Sequence, residues 1–233
     1  MHAVWGSDGK NDILTDYTIG IDSTEKMISK VQEKPWPVYK IKVGTPDDLE
    51  KLRAIRQQTN ATLRVDANAG WTLETALHLL PALKELGVEM IEQPLAKDNW
   101  EDMQKLYAVS DIPLYADESC VFEKDVARCK DHFHGINIKL TKCSGITPAR
   151  RMIKEARSLG LSVMIGCMNE STVGSAAIGH LLPFIDMVDM DGPLLLSEDI
   201  ATGLLYSAGK VQVSDRPGLG IELKPEAWQP EFA

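Results

Sequence analysis

The sequence predicts a parallel α/β fold, a TIM-type (β/α)8 barrel with a modified last unit. Three observations lead there. Eight short runs rich in β-branched and aromatic residues alternate with amphipathic helical patterns, roughly 25 residues per unit, the rhythm of βαβ units. The count of eight suits a closed ring, and 233 residues is the compact end of a size of about 250. No glycine-rich loop follows the first strand, which weighs against an open doubly wound sheet. Gly218-Leu219-Gly220 lacks a third glycine and reads as a turn.

Taken in order, residues 1–15 read as irregular, with a polar, turn-rich run from Gly6 to Asn11. Tyr17 to Ile21 is the first strand, and Ser23 or Thr24 opens a helix to about Glu33. Val38 to Val43 is the second strand, bounded by Pro37 on one side and Gly44 and Pro46 on the other. Pro46, Asp47 and Asp48 open a helix carrying Leu49, Leu52 and Ile55. Leu63 to Asp66, Val88 to Ile91, Leu114 to Ala116, Gly135 to Lys139, Ser162 to Gly166 and Phe184 to Asp189 are the remaining six strands. Helices fall between them at 72–83, 99–108, 122–131, 146–159 and 171–182, and one more strand is expected at Val211 to Val213.

Composition sets the outer bounds. The 44% apolar and 25% charged fractions are those of an ordinary globular chain able to bury a core. A net charge of −9 argues against nucleic acid or an anionic membrane as the main partner. Cys120, Cys129, Cys143 and Cys167 form no CxxC pair, so reduced thiols in a cytoplasmic protein are expected. There is no apolar signal region at the N-terminus and no apolar run of spanning length.

In a barrel the chemistry lies at the C-terminal strand ends. Side chains alternate along a strand, so Lys40 and Lys42 share a face opposite Tyr39, Ile41 and Val43. An edge strand with two solvated lysines would look the same; inside a barrel, unpaired lysines would be costly. The third, fourth and fifth strands end in Asp66, Glu92 and Asp117, spaced 26 and 25 residues apart. Any one could cap the following helix. All three at equivalent positions favour a cation between them, and oxygen-only ligands suit magnesium, with manganese as a substitute. Lys139 ends the sixth strand, opposite the second in an eight-membered ring. Two lysines on opposite faces of a substrate, beside a divalent cation, suit proton removal next to a carboxylate and return of a proton to the other face. A neighbouring cation such as Lys40 would lower a base lysine's pKa.

The ordered stretches Lys40-Ile41-Lys42, Arg64-Val65-Asp66-Ala67-Asn68, Ile91-Glu92-Gln93-Pro94, Ala116-Asp117-Glu118-Ser119, Asn137-Ile138-Lys139-Leu140, Gly166-Cys167-Met168-Asn169-Glu170-Ser171 and Asp189-Met190-Asp191-Gly192 span nearly the whole chain. Together they resemble the enolase superfamily, in its muconate-lactonizing-enzyme subgroup, and most closely the dipeptide epimerases of the L-Ala-D/L-Glu type. The resemblance implies Asp66, Glu92 and Asp117 as magnesium ligands, and Lys42 and Lys139 as the acid/base pair with Lys40 supporting Lys42. It implies Asp189 and Asp191 as the grip on a substrate α-ammonium, with Asn68, Cys167 and Met168 beside the substrate. A Lys base beside magnesium is a pattern of that superfamily.

The function this resemblance implies is that of a magnesium-dependent epimerase of dipeptides, an isomerase working by 1,1-proton transfer at an α-carbon. A related cycloisomerase or lyase, of the muconate lactonizing or o-succinylbenzoate synthase type, is the second reading. A non-catalytic metal-binding barrel fragment is the third. Members of the superfamily carry an N-terminal capping domain, and only its end fits before Tyr17. The chain is therefore divided into residues 1–15, a cap remnant or linker; 16–206, the catalytic barrel; and 207–233, a C-terminal segment that would join a cap. An uncovered barrel mouth makes activity weaker and a homo-oligomer an expectation. The partner is a small molecule, with no nucleic acid and no membrane.

Overall fold

The structure, a computed structural model, describes residues 13–227. Eight parallel strands form one sheet in sequence order. They are β1 (Tyr17–Ile19), β2 (Val38–Lys42), β3 (Thr62–Asp66), β4 (Val88–Glu92), β5 (Leu114–Ala116), β6 (Gly135–Lys139), β7 (Ser162–Gly166) and β8 (Met187–Asp189). A parallel bridge between Thr15 and Val188 closes the ring. Thr15 Oγ1 reinforces that seam by accepting a 2.8 Å hydrogen bond from Met190 N. The barrel is the fold class the sequence predicts, and its last unit is modified: a 3₁₀ turn, Gly192–Leu195, follows β8 in place of an α-helix.

Among the described residues seven α-helices surround the strands: α1 (Thr24–Glu33), α2 (Asp48–Arg56), α3 (Leu73–Glu85), α4 (Trp100–Val109), α5 (Val126–Cys129), α6 (Ile146–Ser158) and α7 (Thr172–Gly179). Ser23, Thr72 and Ser171 cap α1, α3 and α7 by accepting a backbone N–H of the first turn. The outward strand residues Ile19, Ile41, Val65, Ile91, Ile138 and Val188 pack against helix residues such as Leu52, Ile55, Leu83, Leu106 and Met152, and all of these are buried in one cluster. That annular core leaves the alternate, inward residues free to be polar.

Several elements are shorter than the sequence suggests: β1 stops at Ile19, short of Ile21, and α7 at Gly179, short of Leu182. The helix expected at 122–131 is a 3₁₀ turn, Glu123–Asp125, followed by one turn of α5. Asp125 Oδ2 takes the N–H groups of Val121 and Phe122, and His132 N and Phe133 N both donate to Cys129 O, ending the helix. The strand expected from Phe184 begins only at Met187. Pro183 holds Leu182–Phe184 in a 3₁₀ turn, and the Asp186 carboxylate then takes Val163 N and the Arg157 guanidinium.

After the barrel, β10 (Leu204–Ser207) and β11 (Lys210–Val213) form an antiparallel hairpin, and β9 (Ala201–Thr202) pairs with β12 (Glu222–Leu223). The expected strand at 211–213 is β11; its partner β10 is not apparent from alternation. The turn residues Ala208 and Gly209 both have positive φ, the geometry a two-residue hairpin requires. The hairpin straddles position 206, and residues 1–12 and 228–233 of the expected lead and tail lie outside the described residues. Among the described residues no helix is long and apolar enough to cross a membrane, and all four cysteines are free and buried.

Candidate active site

The barrel interior is built in layers. At its N-terminal end Met90, Tyr115 and Met164 form a small apolar plug with Met187. Beside the plug, Arg64 Nη1 bonds Asp16 Oδ2 and Val188 O, each at 3.0 Å, and Nε bonds Glu89 Oε2 at 2.7 Å. A register irregularity between Leu63 and Arg64 lets Glu89 turn towards that guanidinium. Burial, then the charge of Asp189, pushes the Asp16 carboxyl well above the usual carboxylate range.

One layer nearer the mouth, the inward residues of the even strands meet. Lys40 on β2 is 2% exposed, and its Nζ lies 2.8 Å from Glu92 Oε2, 2.8 Å from Asp189 Oδ2 and 3.0 Å from Asp66 Oδ2. Lys42 sits above it at the rim, 2.6 Å from Asp66 Oδ2 and 3.0 Å from Asn68 Oδ1. Across the ring Lys139 Nζ reaches Asp117 Oδ2 at 2.9 Å, and Lys142 Nζ reaches Asp117 Oδ1 at 2.5 Å. Asp66 and Asp117 are thus each clasped by two ammonium groups.

The strand ends are held by backbone geometry that costs energy. Asn68, Ala69 and Gln93 adopt positive φ directly after β3 and β4, the kind of strain that clusters at functional sites. Gln93 Oε1 accepts from Asp117 N and Ser119 N at 3.0 Å, and its Nε2 donates to Leu95 O and Ser119 Oγ. The Glu92-Gln93-Pro94 turn is thereby tied to the end of β5, fixing Glu92 and Asp117 relative to each other.

These groups line a mouth cavity of about 410 Å³ that includes Lys42, Asn68, Asp117, Lys139, Cys167 and Met168, with Asp189 and Asp191 on the β8 side. All eleven predicted residues lie at this one end of the barrel, nine of them on the cavity wall, with Asp66 and Glu92 behind it against Lys40. Asp191 Oδ2 accepts Thr18 N at 2.6 Å, and Cys167 Sγ is 3.7–3.8 Å from Asp191 and Asp189. Thr18, Glu118, Lys142 and Leu195 also line the cavity and are not among the residues the sequence singles out. Thr18 is readable as the inward residue of β1; Lys142 lies in a loop, where no periodicity marks direction. A wider groove of about 600 Å³ runs along the outer face of α6, lined by Arg150, Lys154 and Phe184, away from the strand ends.

The electrostatics follow from crowding in a dry site. Burial raises Glu92, and the neighbouring Asp66 charge adds to it, lifting its carboxyl to about 7. Burial also acts on Asp66, but Lys40 and Lys42 outweigh it and hold that carboxyl far below its ordinary range. Burial, then Asp189, lifts Asp191 to about 7. Burial opposes the charge on Lys139, yet Asp117 and Glu92 outweigh it, so the Lys139 pKa lies above its usual value. Lys40 follows the same balance and is raised well above its usual value by Asp189, Glu92 and Asp66. The neighbouring Lys40 charge does lower Lys139, but the carboxylates of Asp117 and Glu92 outweigh it.

The donor set fits a hard divalent cation. Asp66, Glu92 and Asp117 are buried and offer only oxygen. Glu92 Oε2 has the Lys40 ammonium 2.8 Å away as its ion-pair partner. Among the described residues the donor atoms that all lie within 4.8 Å of one another are those of Cys167, Asp189 and Asp191. Those of Asp66, Glu92 and Asp117 are more widely spaced, with Lys40, Lys139 and Lys142 against them. The Cys167 trio suits magnesium poorly, because burial and the two aspartates hold the thiol protonated.

Residues 23–227 match the family model described as enolase C-terminal domain-like. The chain belongs to that family. Within it, the chain is 53% identical over 223 residues to an L-Ala-D/L-amino acid epimerase of Flavobacterium johnsoniae, covering 96% of this chain and 66% of the relative. It is 38% identical to an L-Ala-D/L-Glu epimerase of Bacteroides thetaiotaomicron, covering 94% and 58%. Among solved structures, the dipeptide epimerase of Cytophaga hutchinsonii complexed with Mg and the dipeptide D-Ala-L-Val is similar, with TM-score 0.89, 33% identity, and coverage of 97% of this chain and 65% of that one. This enolase-like domain therefore spans less than two thirds of the length of the relatives it resembles.

Proposed function

We propose that the chain is the catalytic barrel of a dipeptide epimerase that uses magnesium, with manganese as a substitute, to invert an α-carbon. One observation carries the reading. Lys42 on β2 and Lys139 on β6 face one cavity from opposite sides, with the three strands ending in Asp66, Glu92 and Asp117 between them. That order supplies two proton carriers and a negatively charged cradle on one wall. The same cavity is closed by Asp189 and Asp191 on β8.

Asp66, Glu92 and Asp117 would hold the ion. When bound, it supplies positive charge that offsets the carboxylates keeping Lys139 charged and faces the negative charge that develops as the α-proton leaves. Lys42 takes the proton from one face of the α-carbon and Lys139 returns one to the other. Lys40, fixed between Asp66, Glu92 and Asp189, holds the arrangement. Asp189 and Asp191 bind the free ammonium of the substrate, with Asn68, Cys167 and Met168 along its length. The dipeptide named for the Cytophaga relative supports the substrate class. We assign residues 16–206 as this catalytic barrel, 1–15 as a cap remnant or linker and 207–233 as a C-terminal segment of the kind that joins a capping domain, and we place the activity in the cytoplasm.

The test is α-proton exchange in deuterated water by this 233-residue chain over a dipeptide library, with and without magnesium. Magnesium-dependent deuterium incorporation with inversion is expected. Exchange of no dipeptide, or turnover of a cyclic or hydroxy acid instead, would overturn the reading.

A further inference from the structure

Asn137 is the inward residue of β6 two positions before Lys139, and it is 1% exposed. Its neighbours in the same interior layer, Lys40 on β2, Glu92 on β4 and Asp189 on β8, are all charged. In a barrel such a layer draws one side chain from each alternate strand, and Asn137 is the one neutral member. Its Nδ2 donates 2.7 Å to Glu92 Oε1, passing over β5 to reach a carboxylate two strands away. With Oε1 so held, Glu92 Oε2 is turned to the Lys40 ammonium, 2.8 Å away. Asn137 thus sets which oxygen of Glu92 faces β6 and which faces Lys40.

The layer above makes room for this. An ideal Cβ at Gly166 on β7 would lie 2.8 Å from both Asn137 Nδ2 and Oδ1, and 3.1 Å from Lys139 Cε. A side chain at 166 would displace the amide from Glu92 and press on Lys139. Gly166 does not have a positive φ, so its smallness serves space and not backbone conformation. Asn137 Oδ1 has no hydrogen-bond partner among the described residues. A residue kept only for packing would gain by being apolar, since a buried polar atom left unpaired is costly.

We infer that Asn137 is a positioning residue: through its amide it orients the Glu92 carboxylate for the cation, in a space that Gly166 leaves open. The inference rests on the proposed role of Glu92. Groups that orient metal ligands typically change affinity or activity by about 10–100-fold when removed.

The experiment is magnesium binding by calorimetry, and manganese binding by electron paramagnetic resonance, on the full chain and its variants. Thermal melting without metal runs in parallel. Asn137→Ala should weaken magnesium about tenfold or more, while Asn137→Ser, which keeps a shorter donor, should recover part of the loss. Gly166→Ala should weaken it too with Asn137 still present. A merely structural role would lower the melting temperature of the metal-free chain without changing affinity in the variants that fold. Unchanged affinity in folded Asn137→Ser and Gly166→Ala overturns the inference even if Asn137→Ala fails to fold. A wild-type chain that binds no divalent ion overturns both this inference and the function proposed above. Wild-type binding with unaffected variants removes this one alone.

Discussion

Lys40 Nζ lies 2.8 Å from Asp189 Oδ2, joining β2 to β8 through the middle of the barrel. The same ammonium touches Glu92 and Asp66, so one cation holds three buried carboxylates. Removing one partner of a buried charge cluster typically costs about 3–5 kcal/mol, because the others are left uncompensated. Lys40→Met should therefore lower the melting temperature by about 10 °C. Magnesium should restore part of that loss, since a cation among Asp66, Glu92 and Asp117 relieves the same repulsion. Melting curves with and without the ion check this; equal curves would separate Lys40 from the cation site.

Lys42 is the more exposed lysine, at the rim and hydrogen-bonded to Asn68. Lys42→Ala should abolish epimerisation while magnesium still binds, a loss of about 10²–10⁴ or more for an acid/base group. A two-base site makes a sharper statement. The variant should still exchange the α-proton of the substrate isomer whose proton faces Lys139, and Lys139→Ala should do the reverse. Deuterium wash-in on the separate isomers reads this directly; loss of exchange on both isomers in both variants would contradict a base on each face.

How much of this is legible in the sequence depends on geometry. Where a residue lies on a strand, period-two alternation and strand count fix both its direction and its place in the ring, so Lys40, Asp66, Glu92 and Lys139 can be located by counting. Lys142 cannot, because it lies three residues past β6 in a loop. Arg64, Asp16 and Asn137 are inward residues on or beside strands, yet nothing in their identity separates a buried partner from a solvated side chain until the other strands are placed. The balance of charges escapes counting for the same reason. Along the chain Lys40 stands beside Lys42, whereas the fold puts carboxylates from three other strands within 3.0 Å of the Lys40 ammonium. The short β8 and α5 are set by Pro183 and by the Asp125 carboxylate, local hydrogen bonds that periodicity does not register.

The Arg64 guanidinium is 5% exposed and bridges Asp16, Glu89 and the Val188 carbonyl just before Asp189. Arg64→Met would leave Asp16 fully buried without its cation and free the carbonyl that steadies β8. The expected cost is about 3–5 kcal/mol, seen as a lower midpoint in urea with little change in slope. Arg64→Met combined with Asp16→Leu removes both charges and should recover much of the loss. An additive loss in the double variant would show that the two side chains do not act as a pair.

Asp191 gives a pH dependence whose sign can be worked out. Its carboxyl is lifted to about 7 by burial and then by the charge of Asp189. A substrate ammonium needs the ionised form, so KM for a dipeptide should rise as the pH falls from about 8 towards 6, approaching tenfold per unit below the pKa. Stability runs the other way. A carboxyl whose folded pKa is raised contributes stability that is fully present below the ordinary carboxylate value near 3.9 and is lost as the pH rises towards 7. Asp191→Asn abolishes that loss. The variant should melt a few degrees higher than the parent at pH 8, bind magnesium as the parent does, and show a raised KM that no longer changes between pH 6 and 8. An unchanged KM would count against Asp191 as the ammonium partner, and a variant less stable at pH 8 would show that its charge is better compensated than its surroundings indicate.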